Sequence, residues 1–167
     1  MALAIRDAHA GDRAAIQAIN RDGRPGVTAL GAAEVDDCIA RATLFRVAEQ
    51  EGEVLAYAIA LAPGFASIGD EYAWFSQRVG AFLYVDQIAV APGAHRRGIA
   101  SALYTDLARG ARERGLARLA CEVNLRPANP RSLAFHASQG FREVGRLDAS
   151  DGRFVALLVK ELEAADR

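Results

Sequence analysis

Apolar side chains along the chain alternate between the spacing of a strand and the spacing of a helix. Near the start, Ala2–Arg6 is a short apolar strand, and Ala15, Ile16 and Ile19 then share one face of a helix that Asp12 is expected to cap. The pattern next predicts a loop over 22–31, a helix over 32–41, strands over 44–49 and 54–61 joined by a turn at 50–52, and a long irregular stretch over 62–79.

The segment Ala81–Ala91 is apolar at every position except Asp86 and Gln87. A strand that is apolar on both faces belongs in the middle of a sheet. The pattern then predicts a helix marked by Ile99, Leu103 and Leu107 and closed by Gly115, a strand over 116–123, a helix over 129–139 and strands over 141–147 and 154–161. We therefore expect one α/β (α+β) domain over residues 1–167, with a mixed central sheet of about seven strands and helices on both faces.

Charge and composition narrow the function classes. The 167 residues include 20 basic and 21 acidic side chains, for a formal net charge of −1, so no global basic excess points to nucleic acid or to a membrane surface. No apolar run reaches the ~18 residues needed to span a bilayer, and the first residues do not resemble a secretory signal. Cys38 and Cys121 fit no metal-ligand spacing. We therefore expect a cytoplasmic protein without a metal site.

The segment YVDQIAVAPGAHRRGIASAL places a buried strand, a short loop and the start of a helix in succession. Unpaired N–H groups at a helix N-terminus bind anions, and the helix dipole favours negative charge there. Gly98 lets a phosphate approach the backbone because it has no side chain, and Arg96 and Arg97 add positive charge. The segment therefore predicts a pyrophosphate cradle. The alternative is a plain helix cap flanked by two solvated arginines.

The same segment resembles the acetyl-coenzyme A motif of GNAT acetyltransferases, in which Gln or Arg begins a pattern that ends in Gly-x-Gly or Gly-x-Ala. Gly98 and Ala100 match this motif, whereas His95 stands where Gln or Arg is usual. In the family, the main chain of the preceding strand carries the pantetheine arm. The resemblance thus implies these cofactor-binding residues: Ile88, Ala89, Val90, His95, Arg96, Arg97, Gly98, Ile99, Ala100 and Ser101.

A second block, NPRSLAFHASQGFREVG over 129–145, resembles the closing motif of the same family. Asn129, Ser132, Phe135, Gly140 and Phe141 match it, and the first three join the implied cofactor-binding residues. The two blocks lie in the family's order. The resemblance implies a GNAT fold and transfer of an acetyl group from acetyl-CoA to a primary amine of a small molecule, by direct attack in a ternary complex. A homodimer is a candidate assembly.

Acetyl transfer to an amine requires a base for the ammonium proton and benefits from an acid at the leaving thiolate. In much of the family that acid is a tyrosine, and His136 occupies its position here; alternatively, His136 only packs at the helix or contacts coenzyme A. Asp86 is the first candidate base, because a carboxylate within an apolar strand is costly unless it is paired or used. A buried ion pair with an arginine is its alternative role. Glu122 is the second candidate and Tyr84 the third, and many family members use a water chain instead.

Three aromatic side chains, Tyr72, Trp74 and Phe75, fall within the long stretch before the central strand. Together with Tyr84 they are candidate walls of an acceptor pocket, and the alternative is that they cover the core. Two other function classes stay open. One is a coenzyme A-binding sensor without catalysis, and the other is a phosphate- or nucleotide-binding module. The second family block favours the acetyltransferase over the latter. The sequence does not identify the acceptor.

Overall fold

The computed structural model describes residues 2–66 and 68–164. In chain order they form β1 (Ala4–Asp7), α1 (Arg13–Gly23), α2 (Ala32–Arg41), β2 (Leu44–Gln50), β3 (Glu53–Leu61), α3 (Asp70–Arg78), β4 (Phe82–Val90), α4 (Ile99–Glu113), β5 (Arg118–Arg126), α5 (Pro130–Ser138), β6 (Arg142–Asp148) and β7 (Phe154–Glu161). The strands form a seven-stranded sheet in the order β1-β2-β3-β4-β5-β7-β6. The predicted class and the predicted mixed sheet are confirmed, and β4 is an inner strand as its apolar faces indicated.

The structure corrects the stretch over 62–79, which was predicted to be irregular and contains helix α3. Tyr72 and Phe75 are three positions apart, so they share one face of this helix, and both are buried. Trp74 projects from another face and is half-buried. The helical spacing was not evident from the sequence, because Trp74 lies off the buried face that Tyr72 and Phe75 share.

The predicted helix cap at Asp12 is also wrong in its mechanism. Asp12 stands at the N-cap position of α1 but makes no side-chain cap bond to that helix. Its carboxylate accepts two hydrogen bonds from Arg6, at 2.8 and 2.9 Å, and one from the His9 N–H at 2.9 Å. The Arg6 hydrogen bonds hold the pKa of Asp12 below its usual value. Asp12 therefore anchors β1 to the start of α1 instead of capping α1.

The chain divides into two compact units. The first unit comprises Met1–Leu61 and Val85–Leu107. Within it β1 pairs with β2, and β2 with β3, both antiparallel. Its buried core joins side chains from α1, α2, β2, β3 and β4, namely Ile16, Ile19, Val35, Phe45, Val47, Tyr57, Ile59 and Ala89.

The second unit comprises Ala62–Tyr84 and Ala108–Arg167. Residues 82–84 of β4 pair in parallel with residues 118–120 of β5, and β5 pairs antiparallel with β7, which pairs with β6. The prediction of a single domain over 1–167 stays a prediction. Nowhere along residues 2–66 and 68–164 is a helix long and apolar enough to cross a membrane.

Candidate functional site

The loop between β4 and α4 lies in the first unit and contains the residues of the predicted cradle. Arg96 and Gly98 both have positive φ, 62° and 76°. The N–H of Ala102 donates to the Gly98 carbonyl at 3.0 Å, and this bond begins the helical ladder of α4. The N–H groups of Ile99 and Ala100 precede that bond and thus have no acceptor within the helix. A Cβ at Gly98 would meet no atom within 4 Å, so the backbone here is open to an approaching group.

The charged side chains of this loop have different roles. Arg96 is exposed. Arg97 is also exposed, and its Nη2 donates to Gln50 Oε1 at the end of β2. The His95 Nε2 lies 2.9 Å from the Val90 carbonyl oxygen, which only accepts, so Nε2 carries the hydrogen. The imidazole therefore ties the loop back to the end of β4, which is a role that the family motif did not predict.

Residues of β4 in the first unit alternate between two faces. Gln87 and Ala89 are buried, whereas Asp86, Ile88 and Val90 are half-buried. Burial raises the pKa of the Cys38 thiol to about 11, and the charge of Asp86 contributes. Cys38 is therefore protonated at neutral pH and is not a nucleophile.

A buried polar network in the first unit was not found from the sequence. Tyr57 Oη donates to Gln87 Oε1 at 2.7 Å, and Asn20 Nδ2 donates to the same oxygen at 3.2 Å. Gln87 Nε2 in turn donates to the carbonyl oxygen and the hydroxyl of Thr28, at 3.0 and 2.9 Å. Gln87 is a polar interruption of an apolar strand, and that interruption is the signal that the sequence offers for this network. The network ties the loop after α1 to β4.

Tyr84 and Glu122 lie together in the second unit. The Tyr84 hydroxyl donates to Glu122 Oε2 at 2.6 Å. Tyr84 is 2% exposed and Glu122 is half-buried. The parallel register that pairs Tyr84 with Ala120 brings the two side chains within reach, because Glu122 is two residues further along β5. The second and third candidate bases thus form one hydrogen-bonded pair.

The three candidate aromatic walls belong to α3 of the same unit. Tyr72 is 4% exposed and Phe75 is 0% exposed. Their ring centroids lie 5.6 and 5.9 Å from that of Tyr84. The Tyr72 hydroxyl donates to the Ala62 carbonyl at 2.7 Å. This packing favours the core role for Tyr72 and Phe75. Trp74 is the one of the three that keeps partial exposure.

The second family block forms α5 and its N-cap. Asn129 caps α5, since its Oδ1 accepts from the Ser132 N–H at 3.3 Å. His136 is 5% exposed and packs edge-on against Phe135 and Phe141, at 5.4 and 5.2 Å between centroids. Its Nδ1 lies 2.8 Å from the Ser132 carbonyl oxygen, so the hydrogen is on Nδ1. Burial lowers the pKa of His136, and the ring is therefore neutral at pH 7.

A further group around Arg153 was also missed. Its guanidinium contacts Glu71 at 2.5 Å, Asp151 at 2.8 Å and Asn124 Oδ1 at 3.2 Å. Glu71 and Asn124 are buried, 7% and 5% exposed. The sequence offered no signal for this group, because its members lie on three separate segments.

The structure thus distributes the predicted residues over the two units. The first contains Asp86, Ile88, Ala89, Val90, His95, Arg96, Arg97, Gly98, Ile99, Ala100 and Ser101. The second contains Tyr72, Trp74, Phe75, Tyr84, Glu122, Asn129, Ser132, Phe135 and His136. Among the residues that the structure describes, no group of three or more His, Cys, Asp or Glu side chains is arranged to hold a metal ion.

Known proteins provide an independent comparison. The chain resembles the ribosomal-protein-S18-alanine N-acetyltransferase of Escherichia coli, with 21% identity, a TM-score of 0.73, and 99% of this chain and 97% of that chain covered. It also resembles a phosphinothricin acetyltransferase of Sinorhizobium meliloti solved with AcCoA, with 26% identity, a TM-score of 0.72, and 97% and 89% coverage. A third structure is N-acetylglutamate synthase of Neisseria gonorrhoeae with coenzyme A and N-acetyl-glutamate, with 21% identity, a TM-score of 0.75, and 98% and 36% coverage.

A search of the curated proteins gave no match. The family model described as the acetyltransferase (GNAT) family matches residues 14–141, which is most of the chain. That range contains the cradle at the start of α4 and most of the second block. The family resemblance drawn from the sequence is confirmed: the chain belongs to the GNAT acetyltransferase family.

Proposed function

We propose that this chain transfers an acetyl group from acetyl-CoA to a primary amine of a small molecule, by direct attack in a ternary complex. Family membership supports acetyl transfer. Two of the similar structures hold AcCoA or coenzyme A. The observation that carries the proposal is the half-buried carboxylate of Glu122, held at 2.6 Å by the Tyr84 hydroxyl. A fixed carboxylate is the kind of group that accepts a proton from an attacking amine.

The cradle at the start of α4 is the proposed site for the pyrophosphate of acetyl-CoA. The N–H groups of Ile99 and Ala100 point out of the first turn, and the helix dipole adds to their attraction for an anion. Arg96 is exposed beside them. Arg97 joins it when its guanidinium exchanges the Gln50 amide oxygen for a phosphate oxygen, which is a stronger, charge-assisted acceptor.

The main energetic problem of the reaction is the acceptor proton. An alkylammonium has a pKa of ~10.4, so at pH 7 about one molecule in 2,500 is a free amine, which costs about 5 kcal/mol. Full transfer to an ordinary carboxylate before attack would cost still more, about 8 kcal/mol. We therefore propose that the free amine attacks, after its ammonium proton has been lost to solvent. The amine nitrogen bonds to the acetyl carbon while the C=O electron pair moves to the oxygen, and the excess proton on the nitrogen passes to Glu122. The carbonyl then re-forms, the C–S bond breaks, and the sulfur leaves with that electron pair as a thiolate.

His136 suits a contact role better than that of a charged acid. Its Nδ1 hydrogen is used by the Ser132 carbonyl, and its lowered pKa leaves Nε2 without a proton at neutral pH. An alkyl thiol such as that of cysteine has a pKa of about 8.5. A thiolate is therefore an acceptable leaving group near neutral pH without a dedicated acid. The acid role of His136, like the base role of Asp86, stays a prediction.

The test is an amine panel assayed with acetyl-CoA. Release of the coenzyme A thiol is followed by a chromogenic disulfide, and the acetylated product is identified by mass spectrometry. We expect turnover of at least one small primary amine and tight binding of acetyl-CoA by calorimetry. Binding of acetyl-CoA without turnover of any amine would instead support the coenzyme A-binding sensor. The cytoplasmic location and the homodimer stay predictions.

A further inference from the structure

The guanidinium of Arg153 donates hydrogen bonds to the protein from all three of its nitrogens. Its Nη2 donates to Glu71 Oε1 at 2.5 Å, its Nε to Asp151 Oδ2 at 2.8 Å and its Nη1 to Asn124 Oδ1 at 3.2 Å. The side chain of Arg153 is 22% exposed, and that of Glu71 only 9%. Each of the three nitrogens of this guanidinium thus has an acceptor within the second unit.

This group lies next to the Tyr84–Glu122 pair. Glu122 and Asn124 are two residues apart on β5, so their side chains leave the same face of the strand about 7 Å apart. Burial lowers the pKa of Arg153, but the hydrogen bond to Asp151 and the charges of Glu71, Asp151 and Glu122 outweigh it, and the net pKa is raised. The guanidinium therefore lies in the field of three carboxylates, and Glu122 is one of them.

We propose that Glu71 and Asp151 determine which acceptor the protein selects. By binding Arg153 they keep the surroundings of Glu122 negatively charged. The selected acceptor is a cationic primary amine that has no carboxylate beside its reacting nitrogen. The inference rests on the proposed function, in which Glu122 receives the acceptor proton. Three carboxylates against one guanidinium leave an excess of negative charge, which attracts an ammonium group. An acceptor carboxylate about 7 Å from Glu122 would be disfavoured by roughly 10- to 100-fold, as Coulomb's law gives for partly buried charges.

The same geometry disfavours an amino-acid acceptor held by Arg153. An α-carboxylate would have to compete with Glu71 and Asp151, which already bind the guanidinium. Replacing Glu71 would leave a carboxylate that is 7% exposed without its counter-charge. Removal of one partner from a buried ion pair is strongly destabilising. The Glu71–Arg153 pair therefore disfavours binding of an acceptor carboxylate at Arg153.

The experiment compares matched acceptors that differ only in the carboxylate. Phenethylamine and phenylalanine form one pair, and tryptamine and tryptophan form another. Phenylalaninamide, in which an uncharged amide replaces the carboxylate, is the reference. We expect each amine to exceed its amino acid in kcat/KM by at least about tenfold. Asp151→Asn and Glu71→Gln should narrow that ratio, because each frees part of Arg153 for a carboxylate. Glu113→Gln, a change at an exposed acid on α4, is the control and should leave the ratio unchanged.

Calorimetric binding of the same ligands to the coenzyme A complex gives a readout that does not require turnover. The inference is supported if the parent protein binds each amine more tightly than the matching amino acid and if this difference is smaller in Asp151→Asn. Preference for the amino acid in the parent protein overturns it, as does an unchanged ratio in both folded variants. Lack of acetyl transfer with a retained binding preference for the amine would contradict the proposed function while leaving the selectivity supported. If Glu71→Gln does not fold, the half-exposed Asp151 provides the deciding variant.

Discussion

The hydroxyl of Tyr84 on β4 donates a 2.6 Å hydrogen bond to the carboxylate of Glu122 on β5. One member of the pair is almost fully buried and the other is half-buried. A short bond from a rigid aromatic side chain holds the carboxylate in one orientation. This pair therefore has the geometry expected of a positioned base.

Glu122→Gln should lower kcat/KM for the acceptor by about 10²- to 10⁴-fold, because the amide cannot accept the ammonium proton. Tyr84→Phe should lower it less, since the ring packing is retained and only the orienting hydrogen bond is lost. Steady-state kinetics measure both, with calorimetry to confirm that acetyl-CoA affinity is unchanged. Full activity in Glu122→Gln would point to Asp86 or to a water chain, and Asp86→Asn then separates those two.

Gly98→Glu should weaken acetyl-CoA binding by placing bulk and negative charge where phosphates are expected. The position has a φ of 76°, so any side chain there also strains the backbone, at about 1–2 kcal/mol. Gly98→Gln is the matched control, because it has the same bulk and strain without the charge. We expect Glu to bind more weakly than Gln by about tenfold in calorimetry, with a gap that shrinks as salt is added. Parent-like binding by the Glu variant would mean that the cradle is elsewhere.

His136 should make the protein less stable in acid. Its folded-state pKa lies below the ordinary value of 6.5, because burial disfavours the charged ring. Between those two pKa values the unfolded chain binds more protons than the folded one, so stability rises with pH there. The contribution is complete above about pH 6.5 and is lost as the pH falls toward the folded-state pKa. Urea unfolding at several pH values should show this loss in the parent and a smaller one in His136→Gln. His95→Gln, at an exposed imidazole, is the control.

The acid role of His136 makes a separate kinetic prediction. If His136 protonates the leaving thiolate, His136→Ala should lower kcat by about 10²- to 10⁴-fold with little change in acetyl-CoA affinity, and His136→Tyr should restore part of the rate. An unchanged kcat in both variants would exclude the acid role. A parallel loss of affinity and rate would identify a binding residue.

Phe75 and Trp74 should respond differently to truncation. Phe75 is 0% exposed and packs against Phe82 and Tyr84, so Phe75→Ala should lower the unfolding free energy by about 3–5 kcal/mol with both KM values unchanged. Trp74 is half-buried, with Arg78 4.8 Å over its ring. If Trp74 walls the acceptor site, Trp74→Ala should raise the acceptor KM far more than the acetyl-CoA KM. Thermal denaturation and two-substrate kinetics distinguish the two effects, and unchanged constants for Trp74→Ala would assign it to packing.

Most strands and helices were predictable because their signals are local. The bounds of α2 match the prediction, and the inner position of β4 follows from a strand that is apolar on both faces. The open backbone at Gly98 was predictable for the same reason, since the proposed cradle belongs to one continuous segment. Helix α3 was missed because its aromatics do not all lie on one face.

The contacts that bear on chemistry were decided by tertiary structure. Tyr84 and Glu122 are 38 positions apart, Asn20 and Gln87 are 67 apart, and Glu71 and Arg153 are 82 apart. By itself the sequence determined the family, the order of all the main elements except α3, and the residue types available. It did not determine which carboxylate accepts the hydrogen bond of the Tyr84 hydroxyl and which pairs with the Arg153 guanidinium. Those pairings depend on strand register, because a shift of one residue sends a side chain to the opposite face of the sheet. They also depend on helix packing, and both are set only when the whole core forms.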